Sequence, residues 1–208
     1  MDRTFHGSRT WTLPVAAAAL LASTLAAPSA NAVTLTPPPP GYETCHVSGQ
    51  QTICTGNRVE PGHVEPTGFL CFEGEPGEFE LVDVSQSAFQ HATRWYDADG
   101  NLVRREIKDV WAGTSWVSST TGEGVTYHQS QTIIDVLETP GDLGSVREAT
   151  TGVINFLVPG RGAIVRNAGR TVFGFDGTLE FSSGPQAILD YVNGDADALQ
   201  PICDALAG

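Results

Sequence analysis

From Phe79 onward polar and apolar residues alternate with a period of two, the pattern of strands that bury one face. Phe79–Val84 alternates weakly. Ser87–Asp97 divides into Phe89, His91, Thr93 and Trp95 on one face and Ala88, Gln90, Arg94 and Tyr96 on the other. Asp97-Ala-Asp-Gly-Asn101 is a turn, after which Leu102–Trp111 returns. Its expected inner face is Val103, Arg105, Ile107, Asp109 and Trp111, with Leu102, Arg104, Glu106, Lys108 and Val110 in solvent. Further strands are predicted at Thr114–Ser119, Val125–Leu137, Arg147–Val158, Gly162–Arg166, Arg170–Phe175 and Thr178–Phe181. Gly and Pro punctuate them at short, even intervals, as in an all-β sandwich or barrel. Hairpin-length connections make neighbours antiparallel. Residues 42–68 show little periodicity beyond a short hairpin between Cys45 and Cys54.

The period changes after Ser183-Gly-Pro185. Ile188, Leu189 and Val192 share a helical face that Asn193-Gly194 ends. Asp195 or Asp197 caps a second segment in which Leu199, Ile202, Cys203 and Leu206 recur at helical spacing, with Pro201 in its first turn. The expected fold class is therefore an all-β antiparallel β-barrel, with a β-sandwich as the alternative, carrying a short C-terminal helical tail.

The amino terminus follows another pattern. Arg3, His6 and Arg9 precede the apolar run Leu13–Leu25, and Ala30-Asn-Ala32 has the small-x-small form of a signal-peptidase site. The run falls short of the ~20 residues a bilayer needs, and no later stretch is long and apolar enough to span one. The expected organisation is a signal peptide at 1–32, an extended segment at 33–68 containing Thr36-Pro-Pro-Pro-Pro-Gly41 and the cysteine hairpin, and a barrel domain at 69–208. The expected location is extracellular, after cleavage near Ala32.

Charge narrows the partners. The 208-residue chain has 24 acidic residues against 11 basic ones, a formal net charge of −13, and Lys108 is its single lysine. Such a surface repels nucleic acid and anionic lipid. No nucleic-acid partner, no stable membrane insertion and no cofactor is expected, and the sequence leaves the oligomeric state open.

Export gives the cysteines a context. Four cysteines in an oxidising compartment read as two disulfides, and three pairings exist for four cysteines. Cys45 and Cys54 flank the short hairpin, so they are expected to pair, leaving Cys71 to join Cys203 and tie the tail to the sheet. No C-x-x-C pair is present, and no metal site is expected.

Familiar catalytic signatures are absent: no G-x-S-x-G, H-E-x-x-H, P-loop or G-x-G-x-x-G occurs. Asp97–Asn101 alternates oxygens as a calcium loop does but lacks the spaced final Glu, so the turn reading is preferred. The distinctive feature is polar residues on strand faces that otherwise look buried. His91 lies between Phe89 and Trp95; Arg105 and Asp109 interleave with Val103, Ile107 and Trp111; Tyr127 shares a face with Gln129, Gln131 and Asp135, with His128 on the other. Buried charge is costly unless paired, so a structural network is one reading. A lumen for a small, partly apolar ligand is the other, with His91, Trp95, Arg105, Asp109, Trp111, Tyr127 and His128 as candidate ligand-binding residues. A cyclase, isomerase or hydrolase using lumen histidines, and a protein-interaction or inhibitor module, are the alternatives.

Thr151-Gly-Val-Ile-Asn-Phe-Leu-Val-Pro-Gly-Arg-Gly-Ala-Ile-Val-Arg-Asn-Ala-Gly-Arg-Thr-Val-Phe173 is similar to secreted actinobacterial proteins, and the later Asp-Gly-Thr-Leu, Ser-Gly-Pro and Cys203-Asp-Ala-Leu continue the likeness. It covers about residues 70–208. Such proteins resemble the small antiparallel barrels of the allene oxide cyclase and dirigent type, or the lipocalins. The resemblance implies a barrel and no particular activity, and it carries over no catalytic residue.

Overall fold

The structure is a computed structural model that describes residues 33–207. The expected export signal, residues 1–32, lies outside the described residues. The chain is all-β, with a short helical tail. Ten strands form one antiparallel sheet: β1 (Glu43–Ser48), β2 (Gln51–Pro61), β3 (Val64–Cys71), β4 (Phe79–Val84), β5 (Ser87–Tyr96), β6 (Leu102–Ser118), β7 (Gly124–Leu137), β8 (Val146–Val158), β9 (Gly162–Phe173) and β10 (Leu179–Ser183). The order is β1-β2-β5-β6-β7-β8-β9-β10, with β3 on β4 and β4 on β6. β1 and β10 end this path unpaired with each other, so hydrogen bonding does not close the sheet into a barrel.

Two differences from the sequence pattern have physical reasons. Residues 51–71 are strand nearly throughout, although they show no clear alternation, because β2 and β3 lie near an edge and fully bury only Cys54 and Cys71. Their regularity comes from ladder bonds to β5 and β4. The two short strands expected around residues 162–175 are one strand, β9. Gly169, at φ +138°, is accommodated within it, where an added Cβ would meet Ser183 O at 1.9 Å.

β2 with β3, and β4 with β5, run as two long strands broken at Gly62-His63 and Ser85-Gln86, and β6 has a register shift between Trp111 and Thr114 beside them. These breaks lie side by side across the sheet, bridged by Ser85 N donating to His63 O and Gln86 N donating to Ala112 O. Register shows which residues share a face: Arg58, Gln90, Asp109, Gln131, Gly152 and Gly169 form one transverse row on the inner side.

The inner side is apolar at both ends. At one end Phe79, Leu81, Trp116, Val125, Tyr127, Phe156 and Val165 meet the tail residues Leu199, Ile202 and Leu206. At the other, Tyr96, Leu102 and Leu137 pack with Leu35 and Val146; Leu102, expected in solvent, is buried because the register shift between Trp95 and Tyr96 sets it opposite Tyr96. The tail consists of α1 (Ala187–Val192), a 3₁₀ turn (Ala196–Leu199) and α2 (Gln200–Leu206). Asp195 caps the 3₁₀ turn by accepting from Asp197 N, and Pro201 lies in the first turn of α2, as its fixed φ favours. The cysteines form two disulfides, Cys45–Cys54 and Cys71–Cys203. The first staples the β1–β2 hairpin; the second clamps α2 to the end of β3. Two disulfides fit an extracellular protein, and no helix among the described residues is long and apolar enough to cross a membrane.

Candidate functional site

Between the two apolar ends the inner face is polar, and one part of it is hollow. Gly152 on β8 and Gly169 on β9 stand opposite each other, so this part of the floor carries no side chain. A cavity of about 60 Å³ lies here, lined by Gln131, Thr150, Gly152, Ile154, Asn167, Gly169, Thr171 and Gln186. Asn167, Thr171 and Gln186 also line a wider hollow of about 500 Å³, whose other walls include Phe173, Leu179, Ile188, Leu189 and Val192. The two hollows adjoin at these three residues, between α1 and strands β7–β10, and the smaller is lined mostly by polar groups while the wider is lined mostly by apolar ones. α1 is seated over β9 by Ile188 N, which donates to Asn167 Oδ1 at 3.1 Å, and Tyr191 OH donates to Leu70 O at 3.3 Å.

The inner end continues into a chain of polar side chains on the same face. Gln131 Nε2 donates to Asp109 Oδ2 at 3.3 Å, and Trp111 Nε1 donates to the same oxygen at 3.2 Å. Asp109 is 4% exposed and its Oδ1 has no partner. Burial pushes its carboxyl above the ordinary range, and the hydrogen bonds from Gln131 and Trp111 oppose the shift without cancelling it. Trp111 meets the His63 ring edge-on at 5.1 Å. Ser85 Oγ lies 2.9 Å from His63 Nδ1, His63 Nε2 lies 3.4 Å from Asp83 Oδ2, and Tyr127 OH donates to Asp83 Oδ1 at 2.7 Å. Burial, with the bond to Asp83, drives the Tyr127 hydroxyl far above its usual range, so it remains a neutral donor.

Ser85, His63 and Asp83 are the residue types of an acyl-transfer triad, but the geometry is that of a clasp. Ser85 is buried, and its Oγ already accepts from His63 N at 3.2 Å. Those contacts hold the β2–β3 break against the β4–β5 break and leave no accessible nucleophile.

The sequence candidates divide between the two faces. Asp109, Trp111 and Tyr127 belong to the inner network just described. Arg105 is inside too, bonded through Nε to Asp135 Oδ2 at 2.6 Å, with Asp135 1% exposed. His91, Trp95 and His128 face outward. His91 Nδ1 lies 2.8 Å from Asn57 Oδ1, Trp95 stacks under the Arg104 guanidinium at 4.6 Å, and His128 is exposed opposite Asn155. Alternation separates the two faces of β5 without saying which is buried. Ala88, Ala92 and Tyr96 decide it, because the small alanines allow close packing inside. The Asp97–Asn101 segment is a hairpin turn whose Asp97 Oδ1 accepts from Asp99 N and Asn101 N.

The cleft residues Thr150, Asn167, Thr171 and Gln186 escape a reading that looks for titratable groups, since none of them titrates. A usable signal is Gly152 within the β-branched run of β8, because glycine inside a strand marks a close approach or a gap. In comparisons with known proteins, no family model, curated protein or solved structure matches this chain.

Proposed function

We propose that the protein works outside the cytoplasm and binds a small, partly apolar ligand in the cleft between α1 and strands β7–β10. The observation that carries this reading is that the two hollows adjoin, with Asn167, Thr171 and Gln186 lining both. The larger falls within the ~300–1,000 Å³ range of small-molecule sites, and the cleft joins an apolar wall to a few convergent polar groups. The ligand sits at the open side of a curled sheet, so the reading does not need a closed barrel lumen. Asp109, Trp111 and Arg105 act behind the site, by fixing the inner face, and do not touch the ligand.

The test is direct binding. The secreted protein is examined by native mass spectrometry for retained ligand and titrated with the neutral apolar fluorophore N-phenyl-1-naphthylamine. Binding should occur, and the exposed-rim substitutions Leu179→Glu and Val192→Glu should weaken it about tenfold by placing charge at the mouth. Absence of retained mass together with no fluorophore binding, or binding indifferent to both substitutions, refutes the reading.

A further inference from the structure

The chemistry of the cleft lining selects among amphipathic ligands. Although 35 residues of the chain are charged at neutral pH, no Asp, Glu, Lys, Arg or His lines either hollow. A charged head group entering the inner end would lose its hydration and meet no counter-charge, which is the costly case of charge burial. An anionic head fares worse still, because Asp109 lies behind Gln131 and Glu148 behind Thr150, whose hydroxyl donates to Glu148 Oε1 at 3.0 Å. A cationic head gains little from these acids, since the side chains in front of them keep it at a distance.

What the inner end offers is uncharged and two-sided. Three amides there are each half committed: Gln131 Nε2 donates to Asp109, Asn167 Oδ1 accepts from Ile188 N, and Gln186 Nε2 donates to Ser183 O. Gln131 Oε1, Gln186 Oε1 and Asn167 Nδ2 make no hydrogen bond to a described residue, nor does the Thr171 hydroxyl. The inner end thus presents two free carbonyl acceptors, the free amide nitrogen of Asn167, the second N–H of each glutamine and one hydroxyl. The complement is a group with several hydroxyls, each able to donate and accept. Size sets the upper limit. At roughly 10–15 Å³ for each water-sized group, a cavity of about 60 Å³ takes about four to six heavy atoms. That matches a glycerol unit and excludes a disaccharide. Beyond it, Phe173, Leu179, Ile188, Leu189 and Val192 make an apolar run for a chain.

Resting on the cleft reading above, we infer that the ligand is a neutral single-chain amphiphile with a glycerol-sized polyhydroxy head, of the monoacylglycerol or glyceryl-ether class. Its hydroxyls bond Gln131, Asn167, Thr171 and Gln186, and its chain leaves along α1.

The experiment is displacement of N-phenyl-1-naphthylamine from the full secreted protein at pH 8, below micellar concentrations. The competitors are monolauroylglycerol, laurate, dodecyltrimethylammonium and dodecyl maltoside, which share a twelve-carbon chain. Monolauroylglycerol should displace at a concentration at least about tenfold lower than either charged amphiphile. Equal or better displacement by laurate or dodecyltrimethylammonium overturns the neutral head, and equal displacement by dodecyl maltoside overturns the glycerol size. Thr171→Val keeps the shape of the side chain and removes its hydroxyl. It should weaken monolauroylglycerol about fivefold relative to the fluorophore, whose affinity is measured directly on the same variant; an equal change for both compounds, or none for either, overturns the assignment of the hydroxyl contact. A fluorophore that does not bind the wild-type protein, or that ignores Leu179→Glu and Val192→Glu, removes the cleft reading itself, so the two failures are distinguishable.

Discussion

Asp109→Asn should stabilise the protein at neutral pH and lose that advantage in acid. Asp109 is almost fully buried, both of its hydrogen bonds fall on Oδ2, and Oδ1 has none. Neither nearby inner-face guanidinium relieves it: Arg105 is committed to Asp135, and Arg58 is paired with Glu60. A buried polar group left unsatisfied costs about 1–3 kcal/mol. Asparagine keeps an oxygen for Trp111 and Gln131 and removes the ionised form, while its own amide hydrogens still lack a partner. The net gain at pH 7 is therefore put at the low end, about 1 kcal/mol, or a rise of ~2–4 °C in Tm for a chain of this size. Its pH dependence follows from linkage. The folded-state pKa of Asp109 is raised above the ordinary 3.8, so between those two values the native state holds more protons than the unfolded one. Wild-type stability therefore falls as pH rises through that window, and the asparagine variant does not share the fall. Thermal unfolding of both proteins from pH 3 to pH 8 should show curves that coincide at the acid end and separate above pH 4. A variant less stable than wild type by the same amount at every pH would refute the reasoning, because it would mean that the carboxylate is ionised and well partnered.

The other perturbations test the fold around the cleft. Arg105→Met leaves Asp135 buried without its guanidinium and should cost about 3–5 kcal/mol in urea unfolding; adding Asp135→Leu should recover most of the loss, and an unrecovered loss would assign the effect to packing instead of charge. Cys71→Ser with Cys203→Ser opens a link between residues 132 apart and should cost about 5 kcal/mol on the chain-entropy model, whereas opening Cys45–Cys54, separated by 9, should cost about half as much. Equal losses by denaturant titration would contradict that model here.

How far the molecule is legible in its sequence depends on where one face of an element is buried against the other in solvent and where it is not. β7 reads clearly because Val125, Tyr127, Asp135 and Leu137 alternate with exposed neighbours, and the tail reads clearly because Leu199, Ile202, Cys203 and Leu206 have one place to go, against the sheet. β2 and β3 are obscure because ladder bonds, not apolar burial, define them. Closure is a different matter, since it depends on whether β1 and β10 meet, and no local pattern encodes a contact between the first and last strands. The polar inner face is visible as Arg105, Asp109 and Tyr127 among apolar neighbours. His91 shares that alternation, and the burial of Ala88, Ala92 and Tyr96 turns it outward; His128 lies on the face of β7 opposite Tyr127.

The cleft and the tail are one physical system. α1 has six residues, too few to hold a helix by propensity, and its last turn carries no basic side chain to complement the dipole. Its place is set from outside by Ile188 N on Asn167, by Tyr191 OH on β3, and by α2, which Cys203 fastens to Cys71. Two of those anchors meet β3 at Leu70 and Cys71, adjacent residues. The apolar wall formed by Ile188, Leu189 and Val192 is therefore held by the same clamp that completes the core over Trp116, Tyr127 and Phe156. Core stability and cleft shape should change together when that clamp is opened, while the Cys45–Cys54 staple, on the far edge of the sheet, bears on neither β9 nor α1.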